Sequence, residues 1–184
     1  MGKVHEKIDG RLRAFIEAQP MFFVATAPSG PDGHVNVSPK GIAGSFVVLD
    51  DHTVAYLDLT ASGAETIAHL RENGRIVLMF CAFDGPPNVV RLHGTGRVVL
   101  PDDPEFPGLL AEFGAEPDNA LRAIIDVTVT RIADSCGFAV PRMTYVADRD
   151  ILLQRNGRKS PEQLDEYRAV RNAVSIDGLP ALAP

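Results

Sequence analysis

Apolar residues recur along the first stretch of the chain at the spacing of one helical face. Four of them follow one another at intervals of three or four residues: Val4, Ile8, Leu12 and Phe15. This spacing is typical of an amphipathic helix, and Pro20 lies where such a helix must stop. The pattern therefore predicts a helix over residues 4–18, within an N-terminal helical segment 1–20.

From residue 21 onward the pattern changes to short apolar stretches separated by turns. Residues 28–33 are rich in proline and glycine, which is dense turn chemistry. The segments predicted as strands are 21–27, 34–38, 45–49, 53–59, 75–83, 88–100 and 122–132. Closely spaced hairpins with few helices favour an antiparallel barrel or sandwich over a doubly wound parallel sheet. The predicted fold class is therefore mostly β, a β-barrel with peripheral helices.

Helical patterns interrupt and follow these strands. Residues 61–73 are predicted as an inserted helix, because Ser62 and Glu65 have capping-box spacing and Gly74 is a stop signal. The acidic segment 102–116 is predicted to hold one or two helical turns. A last helix is predicted at about 161–172, after a Ser-Pro start. These elements predict a single domain, with a barrel core over 21–133 and a C-terminal extension over 134–184.

Composition and charge exclude several classes of protein. The formal net charge of −6 argues against a nucleic-acid partner, because no broad phosphate-neutralising surface is available. Two cysteines are too few for a disulfide framework or a zinc site of four thiolates. The longest apolar run, 76–83, is too short to span a bilayer, and residues 1–6 lack a signal-peptide pattern. We therefore expect a cytoplasmic protein without a membrane or nucleic-acid partner.

Motifs for chemistry performed by side chains are missing from the sequence. There is no P-loop, no dinucleotide fingerprint and no serine-hydrolase elbow, and the five histidines show no metal-binding spacing. We therefore assign no catalytic residue and no metal ligand, and we expect His69 to lie at the surface. An enzyme of this composition would take its reactive atoms from a bound cofactor.

Several segments, in this order, resemble the pyridoxamine 5′-phosphate oxidase-like superfamily of FMN-binding split barrels. They are Phe-Val-Ala-Thr-Ala at 23–27 with Val-Asn-Val-Ser-Pro-Lys-Gly at 35–41, the strand–helix–strand segment 55–80, Val-Arg-Leu-His-Gly-Thr-Gly-Arg-Val at 90–98, and Asp-Ser-Cys-Gly-Phe-Ala-Val-Pro at 134–141. The resemblance implies a six-stranded antiparallel split barrel. It also implies a homodimer that binds FMN at the subunit interface and passes two electrons or a hydride between the flavin and a small molecule.

Mapped onto this chain, the resemblance implies a set of cofactor-binding positions. They are Asn36, Val37, Ser38, Lys40, Leu57, Asp58, Ser62, Gly63 and Thr66, to which we add Arg91 and Arg142. A helix start offers free N–H groups to a phosphate, and a lysine can add a point charge. We therefore place Lys40, Ser62, Gly63 and Thr66 on the phosphate and the backbone of 36–38 along the flavin ring.

Two arginines complete this hypothesis, and several of the proposed residues also have a purely structural explanation. Arg91 would balance charge on the reduced flavin, and Arg142 would enter from the partner subunit. Otherwise Ser62 is only a helix cap, Lys40 a solvated lysine, and Arg91 part of an exposed strand face. Glu65 is read as the capping-box partner of Ser62.

The chain also departs from the best-known oxidase of this family. Glu65 and Thr66 replace an Arg-Lys phosphate clamp, and the C-terminal arginine and histidine of the substrate site are missing, which makes pyridoxamine phosphate a poor substrate. Three rivals stay open: a deazaflavin cofactor, a haem held by His93 or His69, and a flavin-binding protein without catalysis.

Overall fold

The computed structural model describes residues 2–114 and 119–182. Eight strands are present in this part of the chain: β1 (Val4–His5), β2 (Phe22–Thr26), β3 (Asn36–Lys40), β4 (Phe46–Val48), β5 (Thr53–Leu59), β6 (Arg75–Cys81), β7 (Val89–Val99) and β8 (Leu121–Ser135). Five helices accompany them: α1 (Gly10–Glu17), α2 (Glu65–Asn73), α3 (Phe106–Ala111), α4 (Ile151–Gly157) and α5 (Pro161–Arg171). None of the described helices is long and apolar enough to cross a membrane.

All strand pairs are antiparallel, and the strands form one curved sheet. Its order is β3-β2-β6-β7-β8-β5-β4, and β1 pairs with β8 outside this path. β8 is long enough, at 15 residues, to pair with β7 along one edge and with β5 along the other. This arrangement confirms the mostly β, barrel-type fold class, with eight strands where the pattern predicted seven segments and the resemblance implied a six-stranded barrel.

The first predicted helix is shorter than its apolar spacing suggested. Val4 and His5 pair with Ala133 and Ile132 of β8, so this end of the segment is a strand. The helix begins only after Asp9, whose carboxylate accepts a hydrogen bond from the Leu12 N–H at 2.8 Å. The prediction for residues 4–9 was therefore wrong. The unpaired edge of β8 forms backbone hydrogen bonds with this segment, and this pairing outweighs the local helical spacing.

The inserted helix also begins later than predicted. α2 starts at Glu65, and its N-cap, Ala64, makes no side-chain cap. Glu65 folds back over Gly63, where an added Cβ would overlap its carboxylate. The predicted Ser62–Glu65 capping box is therefore absent, whereas the predicted stop at Gly74 is confirmed by its left-handed φ of 71°.

Two apolar clusters lie on opposite sides of the sheet. The barrel interior contains Val24, Tyr56, Leu78, Phe80 and Leu92, and a second cluster on the outer side of β5 contains Ala55, Leu57, Val99, Phe106 and Ile124. Successive residues of β5 alternate between the two, as the period of a strand requires. This alternation decides which predicted site residues face the interior.

The C-terminal extension is anchored on the barrel by buried polar groups. α5 carries the predicted capping box between Ser160 and Gln163, whereas α4 was not predicted. Asn156 donates a hydrogen bond to the Thr60 carbonyl at 2.9 Å, and Asn172 donates one to the Ala61 carbonyl at 3.0 Å. The extension is therefore held against the chain that links β5 to α2.

Candidate functional site

The edge strand β3 presents a polar face to the inside of the fold. In its register, Asn36 lies beside Thr26, Ser38 beside Val24, and Lys40 beside Phe22, all of them buried positions of β2. Val37 points the other way and is 61% exposed. The strand period therefore separates the predicted residues, with Asn36, Ser38 and Lys40 on the inner side and Val37 on the outer side.

One end of this polar face meets the first turn of α2. Asn36 donates its side-chain amide to Thr66 Oγ1 at 3.1 Å, and Ser38 Oγ donates to Asn36 Oδ1 at 3.2 Å. Behind them, Thr26 Oγ1 and His69 Nδ1 lie 2.9 Å apart in a hydrogen bond. The structure thus brings Asn36, Ser38 and Thr66 into one hydrogen-bonded set, whereas the sequence analysis places the backbone of 36–38 on the ring and Thr66 on the phosphate.

His69 is not at the surface, contrary to our expectation. Its side chain is fully buried against β2, and burial lowers its pKa. Its helical period placed it next to Leu70, but only the packing of α2 across the sheet shows that both residues face inward. Its Nδ1 is engaged by Thr26, whereas its buried Nε2 has no hydrogen-bond partner among the described residues.

The other end of the polar face holds a buried charge cluster. Lys40 Nζ lies 2.9 Å from Asp58 Oδ1, and Arg122 Nε donates to Asp58 Oδ2 at 2.7 Å. Burial by itself would raise the pKa of Asp58, but the two cations outweigh this effect and hold the pKa below its ordinary value. Lys40 is therefore neither a solvated loop lysine nor an unpaired cation.

Arg122 is a member of this cluster that the sequence did not reveal. The register between β5 and β8 shifts next to Asp58, so that Asp58 pairs with Ala123 and Leu59 with Leu121. Such a bulge leaves Arg122 without a cross-strand partner and redirects its side chain. Arg122 also donates to Asn172 at 2.9 Å, which connects the charge cluster to the C-terminal extension.

The two ends of β3 contact different partners in this structure. Thr66 contacts Asn36, Lys40 contacts Asp58, and four residues of strand span about 13 Å. Both side chains nevertheless approach Tyr56, with Lys40 Nζ 5.7 Å from the centre of its ring. The assignment of Lys40 and Thr66 to one phosphate therefore stays a prediction, and the length of the polar face would also suit the two ends of an elongated ligand.

The loop that precedes α2 forms the remaining wall of this groove. Ser62 is exposed and Gly63 is partly covered by Glu65. The carboxylate of Glu65 thus lies at the helix start. This is the position where Glu65 stands in place of the cationic phosphate clamp of the family's best-known oxidase. The loop offers backbone and hydroxyl donors, but no cation of its own.

A cavity of about 740 Å³ opens at the Lys40 end of β3. Its barrel wall includes Pro39, Lys40, Ile42, Leu57, Leu59 and Ala61, and its other wall comes from the C-terminal extension. Leu57 faces the second apolar cluster and the cavity, away from Asp58 and the barrel interior. This volume lies in the range of small-molecule sites.

The two predicted arginines lie outside this groove within one chain. Arg91 aligns with Met79 on β6 and Ala133 on β8, on the outer face of the sheet, and donates to Ser135 Oγ at 3.1 Å. Arg142 is exposed in the irregular segment after β8. Neither residue reaches Asn36, Ser38 or Lys40 of the same chain.

Comparison with known proteins agrees with the barrel and the motifs. Residues 8–136 match the family model of pyridoxamine 5′-phosphate oxidase. A curated relative, the pyridoxamine 5′-phosphate oxidase family protein ustO of Aspergillus flavus, is 39% identical over 97% of this chain and 77% of its own length. The solved structure of HupZ from Group A Streptococcus superposes with a TM-score of 0.56 at 21% identity, over 74% of this chain and 99% of HupZ. The match over most of the chain and the level of identity show that this protein belongs to the pyridoxamine 5′-phosphate oxidase family.

Proposed function

We propose that the protein binds FMN in the groove between β3 and the loop that starts α2, and that it is a flavin-dependent oxidoreductase. The observation that carries the proposal is the polar inner face of β3, where Asn36 and Ser38 meet Thr66 at one end and Lys40 lies at the other. Membership of the oxidase family supports the same cofactor. FMN is itself elongated, with a phosphate at one end and a planar ring at the other.

The donor groups of the groove fit most of such a ligand. The hydroxyls of Ser62 and Thr66, with the N–H groups of the turn 62–66, would hold the phosphate, and Asn36 and Ser38 would hold the polar chain. Lys40 would lie near the ring end rather than at the phosphate. A bound flavin would supply the two-electron chemistry for which this sequence shows no side-chain motif.

Glu65 is the group that opposes this fit. Its carboxylate covers Gly63 at the helix start, where it would repel a phosphate dianion. A turn of the Glu65 side chain toward solvent would uncover the N–H groups and remove most of the repulsion. Phosphate binding in this chain therefore depends on backbone donors more than on the cationic clamp of the family's best-known member.

A homodimer is part of the proposal because the outer face of the sheet is unusually apolar. Phe23, Val77 and Met79 lie half-exposed on this face in neighbouring strands, and Val37 beside them is 61% exposed. Apolar surface of this kind is typical of a protein interface. Arg91 lies on the same outer face, so its side chain would lie at or near such an interface.

The visible absorption spectrum of the purified protein tests the cofactor. We expect the two bands of an oxidised flavin, or their recovery when FMN is added to protein stripped of ligand. Thr66→Val keeps the volume of the side chain but removes its hydroxyl. It should weaken FMN binding about ten- to a hundredfold, since a hydrogen bond to a charged group is worth about 1.5–3 kcal/mol. Thr128→Val on β8 is the matched control.

Activity and assembly need separate measurements. Reduction of the bound flavin by a nicotinamide donor, followed by transfer to an artificial acceptor, would support an oxidoreductase, whereas a bound flavin that no donor reduces would indicate a carrier. Light scattering coupled to size-exclusion chromatography measures the mass of the assembly in solution. Protein that binds no FMN at any concentration tested would refute the proposal.

A further inference from the structure

The C-terminal extension builds one wall of the cavity at the Lys40 end of β3. Tyr145, Arg149, Ile151, Leu152 and Arg155 contribute to this wall. The wall is joined to the barrel by Asp148, whose carboxylate accepts a hydrogen bond from the Ala43 N–H at 3.2 Å. Asp148 also hydrogen-bonds to the hydroxyl of Tyr145, which raises the pKa of that tyrosine. The extension is therefore attached to the barrel and forms one wall of the cavity.

The charges at the cavity are opposite in sign to those of the whole chain. Lys40, Arg149 and Arg155 line it, and Asp148 is the single carboxylate among its lining residues in the described chain. Lys40 is ion-paired with Asp58, which it shares with Arg122. Over residues 2–114 and 119–182, neither Arg149 nor Arg155 forms an ion pair with a carboxylate within 4.0 Å. A chain of net charge −6 thus places two arginines and one carboxylate at this cavity, in addition to Lys40.

Behind these arginines the lining is apolar. Ile42, Leu57 and Leu59 come from the barrel side, and Ile151 and Leu152 from α4. This surface would bury the apolar part of a ligand. An anionic group on the same molecule could stay at the opening beside the guanidinium groups. Such an arrangement selects ligands that carry both features.

We propose that this cavity is the substrate compartment and that it takes a small molecule with an apolar body and one anionic group, which Arg149 and Arg155 bind. Lys40 borders both this cavity and the proposed flavin groove, and Ala61 of the lining lies next to the loop that starts α2. The cavity's role as the substrate compartment rests on the proposed function. The class of ligand does not, because it follows from the lining alone.

Two fluorescent probes of similar size test the ligand class. The anionic probe is 8-anilinonaphthalene-1-sulfonate, and the neutral probe is N-phenyl-1-naphthylamine. Arg149→Gln and Arg155→Gln should each weaken binding of the anionic probe about three- to tenfold, as expected for partly exposed charge pairs. Binding of the neutral probe should change less than twofold. Arg158→Gln, at the end of the same helix and outside the cavity, should change neither.

A second pair of variants tests where the probe binds. Ala147 lines the cavity and Ala169 lies on α5, and both are exposed, so neither change threatens folding. Ala147→Glu should weaken the anionic probe, whereas Ala169→Glu should not. Added salt should weaken the anionic probe in the wild type and have little effect in the Arg149→Gln, Arg155→Gln double variant.

The outcomes separate this inference from the proposed function. Unchanged affinity for the anionic probe in the double variant, or equal effects of Ala147→Glu and Ala169→Glu, would overturn the ligand class. The flavin spectrum is recorded on the same samples. If probe selectivity is lost while the flavin binds normally, only the proposed ligand class of the cavity is refuted. If no flavin binds while probe selectivity is intact, flavin binding and the role of the cavity as a substrate compartment are refuted, and the ligand class stands.

Discussion

Replacement of Asp58 by asparagine should destabilise the fold strongly. Asp58 is fully buried and is the carboxylate bound by both Lys40 and Arg122, whose side chains are 23% and 4% exposed. The amide keeps the shape of the side chain but leaves two cations without a counter-charge. Removing one partner of a buried ion pair costs about 3–5 kcal/mol, because the remaining charge stays desolvated. We expect a loss of about this size in the free energy of unfolding.

Urea unfolding followed by circular dichroism measures this loss, since the chain contains no tryptophan. Asp51→Asn is the matched control, because Asp51 pairs with Lys7 at 2.8 Å and both side chains are more than half exposed. That surface pair should contribute less than about 1 kcal/mol. If Asp58→Asn and Asp51→Asn destabilise the protein equally, the buried cluster does not stabilise the fold as argued.

The same cluster predicts a dependence of stability on pH. The folded pKa of Asp58 lies below its ordinary value, so its contribution is present above the unfolded pKa of about 3.8 and is lost as the pH falls through the folded pKa. The wild type should therefore lose stability on the acid side more steeply than Asp58→Asn. Parallel acid limbs for the two proteins would contradict the assignment of a shifted carboxylate.

Other expected outcomes concern the helix start and the glycines. Glu65→Gln should strengthen FMN binding by about 1 kcal/mol or fivefold at low salt, because it removes a like charge near the phosphate, whereas Glu72→Gln later in α2 should not; equal titration curves would remove Glu65 from the site. Gly94→Ala should destabilise the protein by at least about 2 kcal/mol, since its Cβ would overlap the Thr128 carbonyl in the middle of the sheet. Gly108→Ala meets no atom within 4 Å and should be neutral or stabilise α3 by up to about 1 kcal/mol, and a thermal melt that ranks the two alanine variants the other way would refute this packing.

Local patterns were sufficient wherever neighbours in sequence decide the structure. The alternation of apolar residues located the main strands, Gly74 ended its helix, and Ser160 with Gln163 capped α5 as predicted. These features depend on backbone dihedrals and on contacts within a few residues. Side-chain alternation along β3 also follows from the strand period, once its edges are known.

Long-range contacts decided what local patterns could not. Val4 has helical spacing but joins β8, and Lys40, read as a phosphate ligand, has its charge matched by a carboxylate 18 residues away. The bulge that turns Arg122 toward Asp58, and the wall that carries Arg149, arise only when distant segments pack together. The sequence thus determines which residues can form strands, helices and donors, whereas the tertiary structure decides which charges meet, because the free energy of a buried charge depends on neighbours that are remote along the chain.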